Sequence, residues 1–477
     1  MPPHYFVTVL RSSLRSADKK SSPSIFRVPP LFALLAVTAI SALSPPMAFG
    51  QEEEPRLEDV DTRLRVLERK AEIADEEAAA RAKSSSSASA SDKGFSLKSA
   101  DGNYELKLRA LVQGDARFYV DDNIPRFNDT FMLRRLRPTF EGSLGKLIGF
   151  RLTPEFAGAS ATIVDAYLDL KFHPAAVVRV GKQKGPVGLE RLQSGGSLTF
   201  IERAFPTELA PNRDIGVTLQ GELASATVNY AVGVYNGVAD GRDARATDVD
   251  DRKEVAARLF FEPFRNNPGF FQNLGFGVAG STGSKQGTTV GTEGVLPQYR
   301  TPGQNTFFQY AANVAANGTH QRLTAQGYWY RYGLGLLGEY IESQQEVRLG
   351  TAESEFTHSA WQLTGSYALT GEDASYRGVV KPNQPFQVGA EGWGALELAL
   401  RVSELDVDDD AFPVFANPLT QATRATAYGI GVNWYLTANA KIVANYTQTE
   451  FEGGGIAPGA PDRENERAVF ARLQVSY

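Results

Sequence analysis

The sequence predicts an all-β fold, a transmembrane 16-stranded antiparallel β-barrel preceded by a short N-terminal coiled-coil helix. Three observations predict it. Apolar residues recur at every second position from residue 95 to residue 477, the connections between these segments alternate between short and long, and the mean hydropathy is only -0.27. A bundle of transmembrane helices would be far more apolar, whereas barrel strands are apolar on one face alone.

The composition excludes several kinds of site. The 477 residues include no Cys, which rules out disulfides, thiolate metal sites and cysteine nucleophiles. The four His residues are too few and too scattered for a histidine-rich metal site. A formal net charge of -6 disfavours a nucleic-acid partner, which usually requires a clustered basic face. We therefore expect no metal, no cofactor and no nucleic-acid partner.

Residues 1–50 have the composition of a signal peptide. Their first half is basic, residues 31–43 are apolar, and Ala48-Phe49-Gly50 is a small-x-small cleavage site. The alternative is an N-terminal membrane anchor, but the apolar stretch is short against the ~20 residues that span a bilayer. We therefore expect the chain to be exported.

Residues 51–82 predict a helix with a coiled-coil seam. Apolar residues from Leu57 to Ala78 alternate spacings of three and four, with charged residues between them. Three chains held together by a larger domain would supply the local concentration that so short a seam needs. A lone amphipathic helix is the alternative. Residues 83–94, which are rich in Ser, predict a flexible linker.

Residues 95–477 have the period of a β-strand. In residues 105–118, apolar side chains occupy one face and charged side chains the other, and the same alternation recurs up to residues 469–477. Counting from Tyr104 gives about sixteen strands, an even number typical of bacterial outer-membrane barrels with long external loops and short periplasmic turns. A barrel this wide holds water that hydrates inward-facing charges, so the pattern favours a pore.

The connection from Gly185 to Arg213 is too long and too apolar for a simple external loop. Its large apolar residues need burial, which folding into the barrel provides. Such a loop would narrow the lumen to a constriction. An external flap or a contact between subunits is the alternative.

Fixed charge at the narrowest point of a pore decides which ions pass. Arg134 and Arg135 come from the second strand, Lys184 from the fifth, and Arg191 from the long connection. Because guanidinium forks bind oxyanions through two hydrogen bonds, a cluster of these residues would favour anions. Acidic residues such as Asp165 lie nearby in the sequence, and for any single arginine an ion pair across the lumen is the commoner role.

Several stretches resemble the phosphate-selective porin O and P family. Among them are FMLRRLRPTFEG, VDAYLDLKFHPAAVVRVGKQKGPVGLERLQS and FIERAFPTELAPNRDIGVTLQGEL. The similarity runs from about residue 95 to residue 477. It implies a trimeric 16-stranded barrel whose lumen, lined by arginines and lysines, passes phosphate or polyphosphate. Some members of the family also carry an N-terminal coiled coil.

The resemblance also implies site residues. The paired second-strand arginines of the phosphate-selective members fall on Arg134 and Arg135, and their fourth-strand aspartate falls on Asp165. The basic residue that opens their constriction loop falls on Arg191, and a first-strand lysine falls on Lys107.

The sequence departs from the family at two positions. The first-strand position of a phosphate-binding arginine is Leu111 here, with Arg109 two residues away on the same face. A loop tyrosine of the family falls near Lys184. The candidate substrate-binding residues at the pore constriction are therefore Arg134, Arg135, Asp165, Arg191, Lys107, Arg109 and Lys184.

Together these observations predict an outer-membrane porin of a Gram-negative-type bacterium, through which phosphate or polyphosphate diffuses passively. The expected partners are inorganic phosphate or other anions, outer-membrane lipid and two further copies in a homotrimer. Contact of the coiled coil with the cell wall is left open. The alternatives are a general porin and an envelope-tethering structural protein, both without phosphate selectivity. An enzyme is not expected, because no Ser stands beside a His at strand spacing.

Overall fold

The computed structural model describes residues 57–120, 127–244, 248, 250–287, 296–378, 381–455 and 461–477. Helix α1 is followed by strands β1–β7, the short helices α2 and α3, and strands β8–β20. Their bounds are α1 Leu57–Ser84, β1 Ser87–Ser91, β2 Gly94–Lys98, β3 Tyr104–Tyr119, β4 Thr130–Leu144, β5 Ile148–Glu155, β6 Thr162–His173, β7 Ala176–Lys184, α2 Leu189–Leu192, α3 Pro206–Leu209, β8 Arg213–Leu223, β9 Val228–Tyr235, β10 Glu254–Phe261, β11 Leu274–Gln286, β12 Gln298–Arg300, β13 Thr306–Gln309, β14 Val314–Arg331, β15 Leu334–Leu349, β16 Ala352–Ala368, β17 Ala395–Asp406, β18 Ala422–Tyr435, β19 Ala440–Gly453 and β20 Glu466–Ser476.

The predicted barrel of 16 strands is confirmed. Strands β3–β11 and β14–β20 each pair antiparallel with the next one along the chain, and β20 pairs with β3 to close the sheet. Closure leaves no barrel strand with an unpaired edge. Strands β12 and β13 form a separate two-stranded hairpin.

The two faces of the barrel differ as the period of two predicts. In β20, Phe470 and Arg472 face inward and are buried, whereas Val469 and Leu473 face outward and are exposed. The outward face of β14–β19 carries tyrosines and tryptophans at two levels, which is typical of the two interfaces of a membrane. The outward tyrosines among them are Tyr340, Tyr367, Tyr428 and Tyr446.

The connections define two ends of the barrel. We call the end where β3 begins and β20 ends the turn end, and the opposite end the loop end. At the turn end, residues 145–147, 174–175 and 332–333 are tight turns, whereas residues 185–212 and 287–313 at the loop end are long. Three connections are exceptions: residues 350–351 are a tight connection at the loop end, whereas residues 262–273 and 369–394 are long and lie at the turn end.

Helix α1 forms within the segment that the heptad pattern predicts. Arg65 and Asp61 form an ion pair of 2.8 Å one turn apart. Val60, Leu64 and Leu67 of the predicted seam are exposed in the single chain. Association through this seam stays a prediction, and the predicted signal peptide, residues 1–50, lies outside the described residues. Within the described part of the chain, no helix is both long and apolar enough to cross a bilayer, a finding that concerns helices alone.

The segment predicted to be a flexible linker, residues 83–94, contains a strand instead. Strand β1 pairs with β2 in a hairpin, and β2 in turn pairs with the first residues of β3. The small Ser and Ala residues of β1 are all exposed, so the sequence shows no strand pattern there. The backbone hydrogen bonds of the neighbouring strand support it, which composition does not reveal.

The long connection between β7 and β8 folds into the barrel, as its apolar content predicts. We call residues 185–212 the constriction loop. Leu189, Ile201 and Phe205 of this loop are buried inside the chain, so an external flap is wrong. Above it, at the loop end, Tyr299, Phe307 and Phe308 of the β12–β13 hairpin form one apolar cluster with Phe205 and Leu209 of the loop.

Candidate pore constriction and basic cavity

Cationic side chains hold the constriction loop in the lumen by donating to its backbone carbonyls. The ammonium of Lys184 donates to the carbonyls of Arg191 and Gln193, both at 2.7 Å. Irregular backbone inside a barrel needs such donors, because no neighbouring strand supplies them. Three further cations from the wall do the same: Lys441 to Leu198 at 2.9 Å, Arg472 to Ile201 at 2.9 Å, and Arg401 to Glu202 at 3.0 Å.

A cluster of arginines surrounds the side chain of Glu202 in this loop. Arg134 donates to both carboxylate oxygens, at 2.6 and 3.1 Å, and Arg117 donates to one of them at 2.7 Å. Burial by itself raises the pKa of Glu202, but the charge of Arg134 and its neighbours outweighs burial and holds that pKa below its ordinary range. Glu202 is therefore ionised at neutral pH.

The same cluster includes a second carboxylate. Asp115 accepts two hydrogen bonds from Arg472, at 2.6 and 2.7 Å, across the junction of β3 and β20. We call Arg117, Arg134, Arg135, Arg472, Asp115 and Glu202 the arginine cluster. Its four guanidiniums and two carboxylates leave a formal excess of two positive charges beside the loop.

A β-bulge places two successive arginines of β4 inside the barrel. Gln113 pairs with Arg135, whereas the next residue, Gly114, pairs with Leu133, so Arg134 is the extra residue. In a regular strand one of the two neighbouring side chains would face lipid. The bulge therefore explains how the chain has paired arginines at one level of the lumen.

The two arginines have different surroundings. Arg134 is partly accessible to solvent, with 25% of its side chain exposed. Arg135 is buried, and it donates to the amide oxygen of Gln113 at 2.6 Å. Gly195 of the constriction loop lies against it, and a β-carbon at that position would come within 3.1 Å of the Arg135 Nε. Arg135 therefore packs beneath the loop instead of facing open lumen.

Arg191 is also turned away from the lumen. It is buried between the two short helices and donates to the carbonyl of Thr207. Burial lowers its pKa, with the neighbouring Glu208 opposing the shift. Arg191 therefore stabilises the constriction loop by linking its two short helices.

A cavity of 670 Å³ lies beside the constriction loop, toward the turn end, against the inner wall of β4–β9. Asp165 and Lys184 line it, as does Leu111 at the position where the family has an arginine. Its charged lining comprises six basic side chains, Arg137, Arg151, Arg179, Lys184, Arg213 and Arg258, and two acidic ones, Asp165 and Glu222. Three carboxylates beside this lining pair with basic residues, Glu155 with Arg137 at 2.6 Å, Asp169 with Arg179 at 2.7 Å and Glu141 with Arg151 at 3.4 Å, so six basic groups face five acidic ones. We call this space the basic cavity.

The basic residues of this cavity differ in how fully they are neutralised. Arg179 is paired with Asp169 at 2.7 Å and Arg213 with Asp165 at 3.1 Å. Arg151 is held loosely, at 3.4 Å from Glu141 and 4.0 Å from Asp165, and 36% of its side chain is exposed. Arg151 is therefore the cavity arginine best placed to exchange a protein carboxylate for a free anion.

A second cavity of 510 Å³ adjoins the first at the turn end and shares Leu111, Thr139, Arg151 and Ser194 with it. Arg109 lines this second cavity and is paired with Glu141 at 3.0 Å. Lys107 lies nearer the beginning of β3, where it pairs with Glu105 at 3.2 Å. The structure thus places Arg134 and Arg135 in the arginine cluster, Asp165 and Lys184 in the basic cavity, and Arg109, Lys107 and Arg191 outside both.

Several residues of the site were missed by the sequence reasoning. Arg117 and Arg472 belong to the arginine cluster, and Arg151 and Arg213 line the basic cavity. All four occupy inward positions of alternating strands, so the period of two contains the signal. Their convergence depends on which strands meet, and that information is absent from any single strand.

One group resembles a hydrolase triad. Ser343 Oγ lies 3.0 Å from His320 Nε2 and donates to Asp240 at 2.7 Å, so a Ser does stand beside a His. However, the same His nitrogen also faces Asp240, at 3.2 Å, whereas a triad uses separate ring nitrogens for the two partners. All three side chains are buried, which closes them to a substrate. Among the described residues, no group of His, Asp and Glu side chains could hold a metal ion.

The chain is similar to one family of known proteins, to one curated relative and to several solved structures. A family model described as phosphate-selective porin O and P matches residues 105–477. An uncharacterized protein of Caulobacter vibrioides is 26% identical over 294 residues, which cover 58% of this chain and 56% of that protein. The match thus spans little more than half the length of that relative.

Two solved structures have a similar fold. The outer membrane channel DcaP of Acinetobacter baumannii has a TM-score of 0.50 at 12% identity, with 80% of this chain and 99% of that chain covered. The outer membrane protein OmpT of Vibrio cholerae, in its trimer form, has a TM-score of 0.48 at 11% identity, with 78% and 99% covered. At this level of identity, the likeness to DcaP concerns the fold alone.

Proposed function

The chain belongs to the phosphate-selective porin O and P family and forms an outer-membrane channel, and from this premise we propose that it passes phosphate or polyphosphate by passive diffusion. The short turns of an outer-membrane barrel face the periplasm, so the turn end is periplasmic and the basic cavity lies on the periplasmic side of the constriction loop.

The observation that carries this proposal is the charge of the basic cavity. Six basic side chains against two acidic ones line a single cavity of 670 Å³ beneath the loop. A fixed positive field of this kind concentrates anions and repels cations. Arginine in particular binds the oxygens of phosphate with paired hydrogen bonds, which favours phosphate over chloride.

The arginine cluster supports the same proposal from the constriction itself. Its excess of positive charge lies where the loop narrows the lumen, and Arg134 keeps part of its side chain accessible to solvent. An anion that passes the loop would therefore meet the guanidinium of Arg134 beside Glu202.

We further propose that the channel is a homotrimer. The outward faces of β4, β5 and β6 carry phenylalanines and leucines without the tyrosines and tryptophans that mark the lipid interfaces on β14–β19. Phe131, Phe140 and Phe172 are exposed on this face. An apolar face without interfacial aromatics fits contact with a second copy better than contact with lipid headgroups.

The decisive experiment measures ion preference in a planar bilayer. With the full-length protein under a KCl gradient, we expect a reversal potential that shows anion preference, and we expect added phosphate to block chloride current. The variant Arg151→Gln should weaken phosphate block roughly ten-fold, the effect of losing one charge-assisted hydrogen bond worth ~1.5 kcal/mol.

The matched control is Arg424→Gln. Arg424 lies on the outer surface of β18, paired with Asp406 and Glu452, and its loss changes the net charge equally without touching the lumen. Cation preference in the intact protein would contradict the proposal. Anion preference without phosphate block would instead favour a general anion porin.

A further inference from the structure

The long connection between β16 and β17 enters the lumen from the periplasmic side. Most periplasmic connections are tight turns, but this one begins at residue 369 and ends at residue 394. We call its described residues 369–378 the inner arm. Ala374 of this arm donates through its backbone to the carbonyl of Tyr332 at 2.6 Å, which ties the arm to the neighbouring turn.

Tyr376 of the inner arm reaches the constriction loop. Its hydroxyl donates to the carbonyl of Leu189 at 2.5 Å, and its own carbonyl accepts a hydrogen bond from Gln193 at 2.8 Å. Its ring stacks on Tyr328 of the wall, with centroids 4.9 Å apart. The residue thus bridges the underside of the loop and the inner wall of β14.

This bridge divides the lumen beneath the loop into two unequal sides. On the side of β10–β15, Tyr376 packs with Leu189, Phe260, Tyr328 and Leu337, which fill the space. On the side of β4–β9, the basic cavity remains open. Phe386 and Trp393 hold the other end of the connection against the wall. Phe386 packs edge-on against Trp434, with ring centroids 5.5 Å apart, and the Trp434 indole donates to the carbonyl of Trp393 at 2.7 Å.

The two sides also differ in charge. Behind Tyr376, the carboxylate of Glu339 accepts the backbone N–H groups of Leu189 and Glu190, and Glu190 itself lies 3.6 Å from Arg401. The filled side therefore has two carboxylates, with Arg401 beside one of them and Arg258 stacked on Phe260, whereas the lining of the open side has six basic side chains and two acidic ones. A passage along the filled side would be less favourable to anions than the passage along the basic cavity.

We propose that the inner arm is a second, periplasmic constriction, in which Tyr376 positions the permeating anion against the basic wall of β4–β9 by filling the other side of the lumen. This inference rests on the proposed channel function. It makes Tyr376 a specificity-determining residue that carries no charge and need not bind the anion itself.

The test uses the absence of cysteine from the chain. The variant Tyr376→Cys removes the ring and provides a single thiol. In planar bilayers, we expect its conductance to increase roughly two-fold and its anion-to-cation permeability ratio to fall toward one, because an uncharged passage has opened. Reaction of the inserted channel with a benzyl thiosulfonate should refill the space and restore both values.

Two further variants separate the ring from its hydroxyl and from general effects of mutation. Tyr376→Phe keeps the ring and its stacking on Tyr328 but removes the hydrogen bond to Leu189, so it should change conductance and permeability ratio much less than Tyr376→Cys does. Tyr367→Ala removes an exposed tyrosine from the outer face of β16 and should leave the permeability ratio unchanged. Unchanged conductance and selectivity in Tyr376→Cys would overturn the proposal, as would failure of the benzyl reagent to restore them.

If Tyr376→Cys gives no folded barrel, Arg377→Cys serves instead. Arg377 is exposed and lines the second cavity, so a bulky thiol reagent there should reduce the current at least about two-fold if the arm borders the passage. Unreduced current would overturn the proposal. A wild-type channel without anion preference would contradict the proposed function. The conductance of the two cysteine variants would still show whether the inner arm narrows the passage.

Discussion

At the scale of single residues, most of the cations in this barrel have a structural role as well as an electrostatic one. Lys184 and Arg472 donate to carbonyls of the constriction loop, and Arg134 holds Glu202. Each satisfies polar groups of irregular backbone that would otherwise be buried unpaired. The positive charge that favours anions is therefore the same charge that keeps the loop in place.

Glu202 gives a test of this dual role. In Glu202→Gln the arginine cluster gains one net positive charge, while Arg117 and Arg134 lose their shared carboxylate. We expect the anion-to-cation permeability ratio to increase roughly two-fold because the cluster becomes more positive, and current noise to rise because the loop loses its ionic contacts with Arg117 and Arg134. The control is Glu452→Gln on the outer surface, which should change neither value. An unchanged ratio in Glu202→Gln would show that the cluster lies outside the conducting path.

At the scale of elements, the bulge in β4 determines what the second strand presents to the lumen. Because Arg134 is an extra residue, the strand has regular alternation on both sides of it. Deleting Arg134 would join Leu133 to Arg135 and restore an unbroken period of two. Deleting Leu136 would also remove the extra residue, but it would turn Arg135 toward lipid.

These two deletions should differ in stability. We expect the deletion of Arg134 to give a folded barrel, and the deletion of Leu136 to destabilise the barrel by about 2–4 kcal/mol if Arg135 reaches the bilayer midplane, and by less near an interface. Urea unfolding in lipid vesicles measures the difference in the free energy of unfolding. The heat-dependent shift in electrophoretic mobility of a folded barrel checks that each variant folds. Equal stability of the two deletions would mean that the bulge migrates along the strand.

At the scale of the whole molecule, closure of β20 on β3 makes the barrel independent of the preceding helix. The hydrogen bonds of this seam run from Ala468 and Tyr119 to Ser476 and Leu111. At the turn end, Ala110 and Tyr477 extend this seam, and the short hairpin β1–β2 pairs with the first residues of β3. Conduction should therefore depend on residues 104–477 alone.

Removal of residues 57–84 tests this independence. We expect the shortened protein to form trimers in detergent and to conduct as the full chain does, since the proposed subunit face lies on β4–β6. Native mass and single-channel conductance are the measurements. If the helix tethers the envelope, cells with the shortened protein should leak periplasmic enzymes at normal conductance. Loss of the trimer would show instead that the helical seam drives assembly.

Much of the fold follows from the sequence by local rules. Alternation distinguishes the lipid face from the lumen face in each strand, and the apolar content of residues 185–212 requires their burial. The hairpin β1–β2 was not predictable in this way, because the small Ser and Ala residues of β1 are all exposed and gain their order from a neighbour. Arg191 was chosen on its chemistry and its place in the family pattern, but the loop turns it inward to brace Thr207.

The sequence by itself determined which side chains face water inside the barrel, how many strands there are and which connection must be buried, since these depend on residues close together in the chain. Tertiary structure alone decided which charges meet. Asp115 and Arg472 are 357 positions apart, and they pair because barrel closure and strand register bring β20 beside β3. The same holds for Tyr376 and Leu189, whose contact depends on two connections entering the lumen from opposite ends.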